Sequence, residues 1–294
     1  MEKQIKEKNK SINKYKILTI VFAAVLAVVL ILALRNWIVQ KNALKEYEKL
    51  ASQVNELQDQ ANDNAIEVPS DGTQQTAEAT QQESQTESSQ LTEKGIDIPQ
   101  KNLDWTKLHN VNADIYAWIS IPGTGIDYPV LQHPTDDSYY LNYNMNGTRG
   151  YPGCIYTEHA NSKDFTDFET VIYGHNMRND SMFASLHKYE DQSFFNNFPY
   201  VYIYTDDGKV LVYQIFAAYQ AGDEHILYSN DFSTDEGRLA YLESIVKNNG
   251  ESPQVRDQIQ LWADSHILTL STCVTKDSDK RFLVQAVLLN EDQL

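Results

Sequence analysis

The chain has 294 residues, with 24 Lys and Arg against 41 Asp and Glu, a formal charge of −17, and only two cysteines. Phosphate binding needs clustered cations, and none occur beyond the first 16 residues, so nucleic acid is excluded as a partner. Two cysteines are too few for a small disulfide-built scaffold, which leaves a hydrophobic core to hold the fold.

Residues 1–16 carry Lys3, Lys6, Lys8, Lys10, Lys14 and Lys16. The next stretch, Ile17 to Leu34, reads ILTIVFAAVLAVVLILAL, has no charge, and has Thr19 as its one polar member. Its length is close to the ~20 residues that cross a bilayer as a helix. A soluble amphipathic helix would show a polar face, and this one has none. The segment from 17 to 36 is therefore expected to be an uncleaved transmembrane signal anchor rather than a cleaved signal peptide. The lysines predict a cytoplasmic tail at 1–16 and an extracellular remainder. Trp37 stands where an interfacial aromatic belongs. Residues 37–62 follow as a stalk helix, with Leu50, Val54, Leu57 and Ala61 spaced on one stripe. Residues 63–95 are rich in Gln, Thr, Ser and Glu and lack aromatics. They predict a disordered acidic linker that holds the following domain off the membrane.

From 96 to 294 the pattern is globular. NADIYAWISIPG and GIDYPVL read as two strands around a Pro-Gly-x-Gly turn. DDSYYLN suggests a helical turn, and GCIYTE and TVIYGH two further strands. SMFASLHKY has helical spacing, with Met182, Leu186 and Tyr189 on one face. YVYIYTDDGKVLVYQIFAAYQ is a hairpin around Asp-Asp-Gly, and STDEGRLAYLESIVKN opens with caps and early acids as a helix does. HILTLSTC and RFLVQAVLL are the last strands. About eight short strands without βαβ alternation predict a mainly β protein, an eight-stranded closed barrel with a few helices.

Three residues carry chemistry. Cys273 ends an apolar strand, and a thiol attacks as thiolate when a base or cation stands near. His175 closes the strand TVIYGH. Arg281 opens the strand after Cys273, and an antiparallel pair joined by a short loop would set Cys273 and Arg281 at one end of the sheet. There a guanidinium can hold an oxyanion. Cys154 lies in GCIYTE among apolar neighbours and is expected to be structural, against the alternative of a bridge to Cys273. No Cys/His cluster has metal-ligand spacing, and no EF-hand-like loop occurs, so neither metal nor cofactor is expected.

TLSTC at 269–273, YGHNM at 173–177 and RFLVQAVL at 281–288 resemble the sortases, the cell-wall transpeptidases of Gram-positive bacteria. The stretch from Gln220 to Ser265, with its helix, and the Ser of TLSTC are most like class B. The resemblance implies the eight-stranded barrel. It implies a cysteine transpeptidase that cleaves a C-terminal sorting signal after Thr through a thioester and transfers the protein to an amine of a peptidoglycan precursor. Cys273 would be the nucleophile, His175 the acid and base, and Arg281 the oxyanion and substrate ligand. Asp137, Leu141, Leu227, Tyr228, Ser271 and Thr272 match the class B substrate groove, although family members often carry Asn where this chain has Asp137. An acceptor-only carboxylate changes what that position reads, which leaves the motif open between an NPxTN-like and a PxTG-like form. The partners implied are secreted proteins bearing that motif, the precursor amine, and the bilayer. Three alternatives stand beside this: a pilin-polymerising sortase, a cysteine hydrolase, and a membrane-anchored binding module without catalysis. Papain-like hydrolases place Cys before His, opposite to the order here.

Overall fold

The structure is a computed structural model that describes residues 1–64, 95–247 and 251–294, with side chains from 15–54, 95–247 and 253–294. The linker expected at 63–95 therefore falls almost wholly outside the described residues.

One helix, α1 (Glu2–Asn64), runs through the basic tail, the apolar segment and the stalk. Its span Tyr15–Val54 is long and apolar enough to cross a membrane, and the apolar window is not buried against the protein. A lone apolar N-terminal helix of this kind fits a membrane anchor. Beyond it the same helix docks on the globular domain. Ala43, Tyr47, Leu50 and Val54 are buried there, at spacings of four, three and four. That period keeps one stripe turned to the barrel. Tyr47 ties the contact: its hydroxyl donates to the Gly153 carbonyl at 2.9 Å, and its ring meets Tyr128 edge-on. The stalk is thus partly built into the domain.

The globular chain continues with α2 (Trp105–Val111), β1 (Ile115–Ser120), β2 (Asp127–Leu131), α3 (Tyr139–Asn142), β3 (Ile155–Tyr156) and β4 (Glu169–Tyr173). A 3-10 helix (Ala184–Glu190), α4 (Gln192–Asn197), β5 (Tyr200–Thr205) and β6 (Val210–Gly222) follow. The last elements are α5 (Ile226–Ser229), α6 (Asp235–Lys247), β7 (Glu251–Val255), β8 (Ile267–Val274), β9 (Asp277–Leu288) and a short 3-10 turn. The sheet order is β5-β1-β2-β3-β4-β8-β9-β6-β7, and β5 also pairs with β6. Eight strands thereby close a barrel, as expected, and β7 lies outside the ring on the flank of β6. Two of its junctions, β2–β3 and β4–β8, are parallel. Met182, Leu186 and Tyr189 are fully buried, but the helix that carries the last two is 3-10.

Two apolar layers position the site. Leu268 and Leu270 of β8 enter the barrel interior with Trp118, Ile172 and Phe282. Ile267 belongs instead to an outer cluster with Leu283, Val287 and the α6 residues Tyr241, Leu242 and Ile245. Strand alternation therefore turns Ile267, Thr269, Ser271 and Cys273 to the outer face. The first six residues of β8 are buried, and Cys273 is the first exposed one.

Candidate active site

The catalytic candidates converge because of strand order. β4 runs parallel to β8 with Tyr173 opposite Ser271, and β8 runs antiparallel to β9 with Cys273 opposite Arg281. His175, two residues past Tyr173, falls on the continuation of the same outer row. The C-terminal ends of β4 and β8 and the start of β9 therefore lie side by side, with the cysteine between histidine and arginine. His175, Cys273 and Arg281 line one cleft of 1020 Å³.

Each side chain has a local reason for its place. The Gly174 amide donates to the Ser271 carbonyl at 3.1 Å, and the Thr272 hydroxyl donates back to the Gly174 carbonyl at 2.7 Å. These bonds extend the β4–β8 ladder to the residue before His175. Gly174 has no room for a side chain: a Cβ would meet Ile155 at 2.5 Å and Phe183 at 2.7 Å. His175 Nε2 lies 2.8 Å from the Leu141 carbonyl. A carbonyl only accepts, so Nε2 carries the proton, and Nδ1 of the neutral ring is left as acceptor. Burial holds the imidazole below its ordinary pKa, opposed by the bond to Leu141. The Tyr151 ring packs edge-on against it, with centroids 4.9 Å apart. Gly153 packs beside the imidazole at φ +66°, where a Cβ would meet the Tyr140 carbonyl at 2.7 Å and the His175 ring at 3.3 Å.

Cys273 is exposed and unbridged, and Cys154 is buried and unbridged, as expected. Burial pushes the Cys154 thiol up to about 12, opposed by the bond from Tyr47. Arg281 Nη1 donates to the carbonyls of Ser278 and Lys280, at 2.8 and 2.9 Å, which rests the guanidinium on the β8–β9 turn. A nucleophilic sulfur, a ring that can give or take a proton, and a cationic donor are the parts needed for acyl transfer.

The remaining groove candidates divide. Leu141, Ser271 and Thr272 line the cleft. Asp137, Leu227 and Tyr228 do not. The Asp137 carboxylate instead accepts from the His159 amide at 2.7 Å and pairs with its ring at 2.5 Å. On α5 the residues that reach the cleft are Ile226 and Ser229, while Tyr228 is exposed.

Two further residues, neither among the sequence candidates, contact the Cys273 carbonyl. Asn176 Nδ2 donates to the Cys273 carbonyl at 2.8 Å. His187 places Nε2 3.1 Å from the same oxygen, and its Nδ1 lies 2.8 Å from the Glu190 carboxylate. Asn176 directly follows His175 in YGHNM and was within reach. His187 sits in a short helix far along the chain, and nothing in its surroundings marks it.

Residues 119–289 match the family model described as the Sortase domain. Sortase B of Listeria monocytogenes is 33% identical over 186 residues, which cover 63% of this chain and 73% of that protein. The structure of Clostridium perfringens sortase B aligns with a TM-score of 0.57 at 35% identity, over 64% of this chain and 100% of that one. A Staphylococcus aureus sortase B–substrate complex aligns with a TM-score of 0.55 at 26% identity, over 71% of this chain and 92% of that one. The chain therefore belongs to the sortase family and within it is most like the class B enzymes.

Proposed function

We propose that this sortase is a membrane-anchored cysteine transpeptidase that cleaves a C-terminal sorting signal after Thr and joins the protein to a cell-wall amine. The observation that carries this reading is the adjacency of β4, β8 and β9, which sets His175, Cys273 and Arg281 in one open cleft. The Cys273 thiol gives its proton to His175 Nδ1 as Sγ attacks the threonine carbonyl. Arg281 and a backbone N–H beside Cys273 hold the oxyanion. His175 protonates the leaving amine, and the thioester remains on Sγ. The acceptor amine then attacks the thioester carbon, with its proton taken up through His175. Leu141, Ser271 and Thr272 flank the acyl chain, and Ile226 and Ser229 close the groove opposite them. Asp137, Leu227 and Tyr228 lie outside this lining and contact the signal only from the rim. The lysines of residues 1–16 favour a cytoplasmic N-terminus, with the apolar part of α1 crossing once and the barrel outside.

The test is transfer of a sorting-signal peptide to an amine by the full chain. Cys273→Ala should abolish both cleavage and transfer while the fold is retained. Cleavage at the normal rate in that variant would end the proposal. Product analysis with and without added amine separates transfer from simple hydrolysis.

A further inference from the structure

A second cleft, of 830 Å³, is also lined by Cys273. It shares Tyr151, His175 and Cys273 with the first. Its far wall is the docked helix α1, which contributes Trp37, Lys41, Leu44, Lys45 and Glu48. Its near wall is the loop after His175, including Arg178. The helix can form a wall because the adjacent stripe, Ala43, Tyr47 and Leu50, is buried on the barrel. The Asn36 and Val39 side chains of the helix also reach the Gly150 turn, each 3.8 Å from where a Cβ on Gly150 would stand.

A transpeptidase must admit two substrates to one sulfur, and the second has to reach the thioester while the acyl chain still fills the first cleft. The second cleft meets that requirement. Three of its lining side chains, Lys41, Lys45 and Arg178, are cations against one carboxylate, Glu48. That balance runs against the −17 of the whole chain. Lys41 and Lys45 stand four residues apart on one helix face, with the Lys41 ammonium 4.9 Å from the centre of the Trp37 ring. Clustered cations in a cleft raise the local concentration of anions. The cleft also begins at Trp37, three residues past the uncharged run that ends at Leu34, so it opens near the point where α1 would leave a bilayer.

We infer that this helix-walled cleft is the acceptor subsite, and that Lys41 and Lys45 bind the phosphate-bearing carrier of the incoming amine. The inference rests on the transpeptidase reading given above. The amine nitrogen forms the new C–N bond as the C–Sγ bond breaks. Sulfur leaves as thiolate, and the proton released by the amine returns to it by way of His175. The stalk of α1 is then part of the enzyme's substrate recognition as well as its attachment.

The experiment measures the two half-reactions of the full chain in neutral detergent. The acceptors are a soluble nucleotide-diphosphate-linked muropeptide with a free amine, and glycinamide as an amine without phosphate. In Lys41→Glu/Lys45→Glu, acylation of Cys273 by the sorting peptide should match the unaltered chain. Transfer to the diphosphate-linked amine should fall at least tenfold in kcat/KM, with the acyl group diverted to water, while transfer to glycinamide stays within twofold. Lys41→Arg/Lys45→Arg should restore the diphosphate-linked acceptor. Lys49→Glu, an exposed change outside both clefts, should leave its transfer intact. Equal loss with both amines, or no loss with either, overturns the inference. So does a defect that appears only when the chain sits in anionic vesicles and not with the soluble acceptor, since the lysines would then be reading lipid headgroups. Failure of the unaltered chain to acylate Cys273 would instead overturn the transpeptidase reading itself.

Discussion

His175 donates a hydrogen bond from Nε2–H to the Leu141 carbonyl and keeps Nδ1 as acceptor. Burial lowers its pKa, so the neutral ring dominates at pH 7. The unfolded chain then binds more protons than the native one below the ordinary histidine value of ~6.5. His175 therefore costs stability as pH falls from ~6.5 through its lowered native value, and this dependence should vanish in His175→Gln, as measured by denaturant titration across pH 5–7. Its native titration, followed by NMR, should lie below ~6.5. His175→Ala and Arg281→Ala should each lower transfer by about 10²–10³-fold, the ordinary worth of an acid-base group or an oxyanion donor. Unchanged rates would remove that residue from the proposed mechanism. Asn176 meets Cys273 through the Cys273 carbonyl. Asn176→Ala should lower kcat several-fold, with the donor KM and the thermal midpoint nearly unchanged, whereas a merely structural role would move the midpoint instead. Cys273 was legible because its strand is an apolar run that stops at it. His187 was not, since its link to Cys273 crosses 86 residues and involves only a main-chain oxygen.

The layer of α6 over β4, β8 and β9 sets a different kind of demand. Glu169 is buried in it, with the Thr269 and Tyr241 hydroxyls beside its carboxyl. Burial pushes its pKa up to about 8, opposed by those two hydroxyls. The native state keeps the proton, while the unfolded carboxyl loses it near ~4.3. Stability should therefore fall as pH rises from ~4.3 through about 8. Glu169→Gln should flatten that slope in denaturant titrations, and an unchanged slope would mean that Glu169 is ionised in the fold. Nearby, Thr269 and Gln285 bond across β8 and β9, and Tyr219 and Tyr241 complete the network. The strands of this layer were legible from alternation, and α6 from its capping pattern. β7 was not, because Ser252, Pro253 and Gln254 give it no apolar alternation. A proline is tolerated there because β7 ends the sheet order. The parallel junctions were also out of reach, since residues 169–173 and 267–271 pair across almost a hundred positions.

For the whole molecule, the main departure from the sequence expectation is the stalk. The Leu50–Val54 stripe was visible as the start of a helical face, but its partner was not, because the barrel surface that receives it is assembled from distant segments. Tyr47, Leu50 and Val54 bury apolar area against that surface. Removing residues 1–62 should lower the Tm of the barrel domain by about 5 °C or more, given ~2–4 °C per kcal/mol lost in a domain of this size and ~1.5–3 kcal/mol for each large apolar side chain buried. An unchanged Tm would mean that the helix does not dock. Thiol labelling of the native full chain should mark Cys273 first, since Cys154 is sealed beneath Tyr47.

The central claim is that Cys273 carries the acyl group between two substrates. Intact-mass measurement of the full chain mixed with a sorting-signal peptide tests it directly. The account predicts an adduct equal to the peptide up to its threonine, located on Cys273, absent in Cys273→Ala, and cleared within seconds to minutes by an added amine to give the amide product. An adduct on Cys154, or cleavage of the peptide by the Cys273→Ala chain, would contradict it.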